Sequence, residues 1–120
     1  MMVNFSNHPS GMWSKEQLNI AQQYGDIIDI RFPQVDSDAS EADIKQIADT
    51  YIDKILSHNP DVVMCQGEFT LCYSIVKRLK DKNIKCVAAC SARETKDELL
   101  DNGTLKKVTL FNFCRFREYE

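Results

Sequence analysis

Four short apolar runs, at residues 3–5, 26–32, 62–65 and 86–89, alternate with segments of helical periodicity, and this alternation constrains the chain more than any other feature. Successive parallel strands cannot be joined by a tight turn; each needs a crossover of about a dozen residues or more, usually a helix. The predicted order is therefore β-α-β-α-β-α-β, with a parallel sheet covered on both faces. Right-handed crossovers then select the flavodoxin-like strand order 2-1-3-4, in which strands one and three are neighbours and their connections leave to opposite faces.

Local signals set the boundaries. Ser14 with Gln17 is a capping-box pattern for a first helix reaching about residue 23, before Tyr24-Gly25 stops it. Ser40 with Asp43 opens a second, in which Ile44, Ile47, Ala48, Tyr51, Ile52, Ile55 and Leu56 recur at steps of three and four until Asn59-Pro60. Gly67-Glu68 opens a third, with Cys72, Ile75, Val76 and Leu79 on one face and Asn83 closing it. Beyond the fourth run, residues 91–95 read as a loop, Asp101-Asn102-Gly103 as a hairpin turn and residues 107–113 as a strand. Residues 1–120 are expected to form a single Rossmann-like α/β domain, with a mostly parallel sheet, helices on both faces and a C-terminal β-hairpin.

That topology brings the loops after strands one and three, residues 6–13 and 66–70, to one crevice at the carboxyl edge of the sheet, with residues 91–95 lining its side. His8 is one of 2 histidines and belongs to the one side-chain type that ordinarily titrates near neutrality, so it is a candidate general acid or base. Gly67 lets a phosphate approach the amides of the third helix, or simply makes the turn. Glu68 either stabilises that helix N-terminus or accepts hydrogen bonds from a ribose hydroxyl or adenine amino group. Arg93, near Ser91 and Thr95, suits bidentate phosphate binding, or pairs with Glu94 or Glu98. Trp13 stacks on a base or packs against the core. The ending Phe111-Asn112-Phe113-Cys114-Arg115-Phe116 alternates aromatic and polar residues, which points to burial against a second copy of the chain or within the monomer.

Other classes are disfavoured. There is no apolar stretch of the roughly 20 residues needed to cross a bilayer, and the start lacks a signal-peptide pattern, so a cytoplasmic protein with no membrane partner is expected. The 5 cysteines are odd in number and none is spaced C-x-x-C, which predicts reduced thiols acting as small hydrophobes. No Walker loop, G-x-G-x-x-G, G-x-S-x-G or His/Cys metal cluster is present, so neither cofactor nor metal is expected. The net charge of -3 argues against sequence-independent binding of long nucleic acid. Basic residues concentrate towards the C-terminal end, where Lys77, Arg78, Lys80, Lys82 and Lys85 form either a solvated helix face or part of a charged-ligand site.

Ser6-Asn7-His8-Pro9, Gln66-Gly67-Glu68-Phe69-Thr70, Ser91-Ala92-Arg93-Glu94-Thr95 and the closing Phe116-Arg117-Glu118-Tyr119 together resemble small CRISPR-associated proteins related to the CARF domain. The resemblance spans nearly the whole chain. It implies a homodimeric Rossmann-like protein of type III CRISPR systems that binds cyclic oligoadenylate, the tetra-adenylate first, and cleaves it as a stand-alone ring nuclease. Carried onto this sequence, His8, Glu68 and Arg93 become the catalytic candidates, and Ser6, Asn7, Gln66, Gly67, Thr70 and Ser91 the ligand-binding ones, with Trp13 beside them. A non-catalytic sensor or sponge for the same messenger is the alternative, and a mononucleotide glycosidase using Glu68 is a third.

Overall fold

A computed structural model describes all 120 residues. Five strands form one sheet in the order β2-β1-β3-β4-β5. They are β1 Met2–Ser6, β2 Ile27–Arg31, β3 Val62–Cys65, β4 Lys85–Leu99 and β5 Leu105–Glu118. The first four pair in parallel and β5 runs antiparallel to β4. Helices α1 Lys15–Gln22, α2 Glu41–Leu56 and α3 Phe69–Asp81 make the crossovers, preceded in the first by a single 3-10 turn, Ser10–Met12. This is the α/β architecture that the sequence alternation predicts. No helix is long and apolar enough to cross a membrane.

Strand alternation sorts the two faces. Val3, Phe5, Val63 and Cys65 face α2 and α3, where Ala48, Ile52, Ile55, Leu71, Ile75 and Leu79 complete the larger core. Met2, Val62, Met64 and Val87 point the other way, against Trp13 and Ala21. The helix starts form as their caps dictate. Ser40 and Asp43 make a reciprocal capping box, whereas Ser14 accepts from the Gln17 amide without a return bond, so only half of the predicted first box exists.

The main correction concerns residues 91–95. They are not a loop: β4 continues through them to Leu99, paired with β5 along its length. Asp97 lies opposite Lys107 and Glu98 opposite Lys106, and such opposite-charge pairs favour the register. The turn falls where Asp101-Asn102-Gly103 predicts, with Gly103 at φ 81° and the Leu100 amide donating to Thr104 O. Past Cys90 the two strands leave the body as a ribbon with no helix beneath it. The radius of gyration is accordingly 17.1 Å, against about 14 Å for a compact domain of this length.

A bulge at the base of this arm is decisive for the site. The register shifts between Cys90 and Ser91, leaving Cys114 as the extra residue on β5. Phe116 pairs with Ala89 on the α1 face; beyond the bulge Phe113 pairs with Ser91 and Phe111 with Arg93, so both of these rings also come to that face.

Candidate functional site

The α1 face carries a cleft of about 630 Å³ across the carboxyl ends of β1 and β3 and the middle of β4, a size suited to small organic ligands. His8, Met12, Trp13, Ser14 and Gln17 form one wall, Met64 and Gln66 the floor, and Ala89, Ser91, Phe111 and Phe113 the other wall. Of the candidates from the sequence, His8, Trp13, Gln66 and Ser91 meet here. Met12, Ser14, Gln17, Met64, Ala89, Phe111 and Phe113 also line it, and none of them stands in a sequence motif for a site; the aromatic alternation of the ending is the one signal that sets Phe111 and Phe113 apart.

The His8 turn is held from below. Asn4 is buried in β1; its Nδ2 donates to His8 O at 2.8 Å and to Asp29 Oδ1 at 2.9 Å. Ser6 Oγ donates to Asn4 Oδ1 at 2.7 Å and accepts from the His8 amide at 3.1 Å. Trp13 Nε1 donates to the same His8 carbonyl at 3.1 Å. Three groups thus fix the turn's backbone while the imidazole makes no bond within the chain. Ser6 is therefore a turn residue, and Asn7 projects away from the cleft to border two neighbouring hollows.

Trp13 is 8% exposed and packs 6.1 Å from the Phe116 ring, which lies 5.0 Å from Phe113. An aromatic run therefore leads from the core to Phe111, which is 70% exposed. Packing claims most of Trp13, and only part of it borders the cleft.

Gln66 continues the sheet where β3 ends. Its Oε1 accepts from the Ala89 amide at 2.9 Å and its Nε2 donates to Ala89 O at 3.3 Å, so the side chain mimics a strand neighbour for β4. Gly67 makes a close approach of another kind. A Cβ on it would lie 2.6 Å from Phe32 ring atoms. The residue thus has a packing reason independent of any phosphate.

Glu68 is the N-cap of α3. Its carboxylate accepts from the Leu71 amide at 2.8 Å, from the Thr70 amide at 3.0 Å and from Thr70 Oγ1 at 2.7–2.8 Å. The Leu71 amide first, then the Thr70 hydroxyl and amide, hold its carboxyl below the usual carboxylate range. The amides assigned to an incoming phosphate already serve this internal anion, and Gly67, Glu68 and Thr70 all lie outside the cleft lining. Arg93 sits one strand step beyond Ser91 on the same ribbon face, directly opposite Phe111. It flanks the cleft without lining it, and it forms no ion pair with Glu94 or Glu98.

Behind the floor, Cys65 Sγ and Cys72 Sγ are 3.5 Å apart, and Tyr119 OH donates to Cys65 O at 2.7 Å. The contact with Cys65 lowers the Cys72 thiol against the opposing effect of burial. The Cys65 thiol moves up through the same contact and burial, and burial pushes Cys86 up to about 11. All five cysteines are free thiols, and no group of His, Cys, Asp and Glu is arranged to hold a metal ion.

An open, mostly parallel sheet with both faces covered and a cleft at its carboxyl edge defines a Rossmann-like α/β domain. The chain belongs to the Uncharacterized protein MJ1673 family, whose model matches residues 1–117. No curated protein matches the sequence.

Proposed function

We propose that this protein binds cyclic oligoadenylate, the tetra-adenylate first, and opens the ring, thereby switching off type III CRISPR signalling. One observation carries the reading: a free imidazole, His8, meets the exposed ring of Phe111 and the half-buried ring of Phe113 in a single cleft at the carboxyl edge. Aromatic faces stack on bases for about 1–3 kcal/mol each. An imidazole is the side-chain type best suited to take and return a proton near neutral pH.

In this mechanism a ribose 2'-oxygen attacks the adjacent phosphorus while His8 accepts the hydroxyl proton. The O2'–P bond forms and the P–O5' bond breaks; the 5'-oxygen takes a proton from solvent, leaving a 2',3'-cyclic phosphate. Arg93 faces the phosphate from the ribbon and offsets its developing charge. Gly67 and Glu68 have no step here, because Gly67 packs against Phe32 and the Glu68 carboxylate caps α3. The ring's two-fold symmetry suits a two-fold homodimer in which each subunit offers the same cleft.

The alternative of a non-catalytic sensor or sponge draws support from a second observation: His8 is the one titratable side chain lining the cleft. Incubation with cyclic tetra-adenylate in EDTA separates the readings. Linear product over many turnovers, abolished by His8→Ala, supports the nuclease; tight binding of an intact ring supports the sponge. Failure to bind refutes both.

A further inference from the structure

We infer that the hollow at the carboxyl end of β2 is a second binding site, an anion site for a phosphate group, with Arg31 as its anchor. The hollow, about 530 Å³, is lined by Asn7, Arg31, Phe32, Pro33, Gln34 and Tyr51. Its polar side chains are a guanidinium, two amides and a phenol, with no carboxylate among them. None of these four makes a hydrogen bond or ion pair within the chain, the three ion pairs of the molecule lying elsewhere. Donors gathered around a hollow and left without internal partners suit a ligand that brings acceptors, and a guanidinium matches phosphate oxygens in bidentate fashion.

The ordinary fate of a strand-end arginine is an ion pair with a nearby acid. Asp29, two residues earlier on the same strand face, is the obvious partner, and it borders the neighbouring hollow that Arg31 also touches. Its carboxylate is occupied instead by Ser10 Oγ at 3.0 Å, the Ser10 amide at 3.2 Å and Asn4 Nδ2 at 2.9 Å. These bonds leave Arg31 uncommitted. The aromatic floor is rigid too, since Phe32 stacks 4.7 Å from Phe5 and Phe5 lies 5.2 Å from Tyr51.

The His8 turn separates this hollow from the cleft, with Asn7 on one side and His8 on the other. A ligand carrying more than one phosphate can therefore straddle the turn, its base among the aromatics and a distal phosphate at Arg31. That extension rests on the function proposed above, while the anion site itself does not.

Inorganic phosphate is the probe. Titrated into the whole protein at constant ionic strength, with chloride as control, it is expected to give saturable NMR shifts at Arg31 Nε and the Asn7 and Gln34 side-chain amides. Those shifts should vanish in Arg31→Gln and weaken in Arg31→Lys, with circular dichroism verifying the fold of each. Absent shifts, or shifts unchanged in Arg31→Gln, overturn the site. Cyclic tetra-adenylate affinity should fall at least tenfold in Arg31→Gln. Phosphate shifts without tetra-adenylate binding would leave the anion site standing and remove the proposed function, whereas equal tetra-adenylate binding by wild type and Arg31→Gln would retain that function and overturn the straddling ligand.

Discussion

Replacing Gly67 by alanine tests whether packing or ligand approach demands a glycine at this strand-to-helix junction. Gly67 does not adopt a positive φ, so alanine is allowed by the backbone and on its own stabilises by about 0.4–1 kcal/mol through the unfolded chain. Against this, the new Cβ would stand 2.6 Å from Cδ1, Cδ2 and Cε1 of Phe32. That ring is 2% exposed and stacked on Phe5, so it has little room to withdraw. Overpacking of this kind costs about 1–3 kcal/mol, and the clash wins by about 1–2 kcal/mol. With an unfolding entropy of about 2.1 cal/mol/K per residue, the expected loss in Tm is about 4–8 °C. Thermal and urea unfolding of Gly67→Ala, Phe32→Leu and the double variant provide the assay, and the alanine should cost less beside leucine, because the coupled side chains touch. A Gly67→Ala protein as stable as wild type that has lost ligand binding would refute the packing argument and restore the phosphate reading.

Glu68→Gln removes the charge at the N-terminus of α3 but keeps an acceptor oxygen, and should cost about 0.3–1 kcal/mol near neutral pH. Because the folded protein holds this carboxyl below its ordinary value, the stabilisation is present above the unfolded-state pKa and disappears as pH falls through the folded one. Urea midpoints of the two proteins should therefore differ at pH 7, and the difference should shrink as pH falls below the ordinary glutamate range. Asn4→Ala strips partners from Ser6, His8 O and Asp29 and should cost about 2–3 kcal/mol; ligand affinity should fall as well, although His8 is intact, which calorimetry would reveal. Phe111→Asp should convert the proposed homodimer to monomer in sedimentation velocity while circular dichroism shows the fold retained, since this ring is 70% exposed on the ribbon; an unchanged sedimentation coefficient would place any dimer contact elsewhere.

The parallel core was legible because strand and helix periodicities are local. The isoleucine-rich second run, the α2 stripe and the Ser40/Asp43 cap each carry their signal within a few residues, and crossover handedness turns that order into β2-β1-β3-β4. The long ribbon was legible in part: Glu98/Lys106 and Asp97/Lys107 pair about the predicted turn, but Ser91-Ala92-Arg93-Glu94-Thr95 has no apolar alternation because neither ribbon face is covered by a helix. Chain order also placed His8, Gln66 and Ser91 at one edge.

Which groups remain available there was decided only by tertiary structure. Gln66 and Glu68 look equally reactive in a sequence, yet one is paired with Ala89 and the other with the α3 amides. The bulge at Cys114 reverses the strand phase that simple alternation from Phe116 would give, and so carries Phe113 and Phe111 into the cleft. Arg31 is uncommitted because Ser10 and Asn4 occupy Asp29. Periodicity records which face a residue takes, whereas hydrogen-bond partners come from segments distant in the chain, and those partners determine which side chains are left for a ligand.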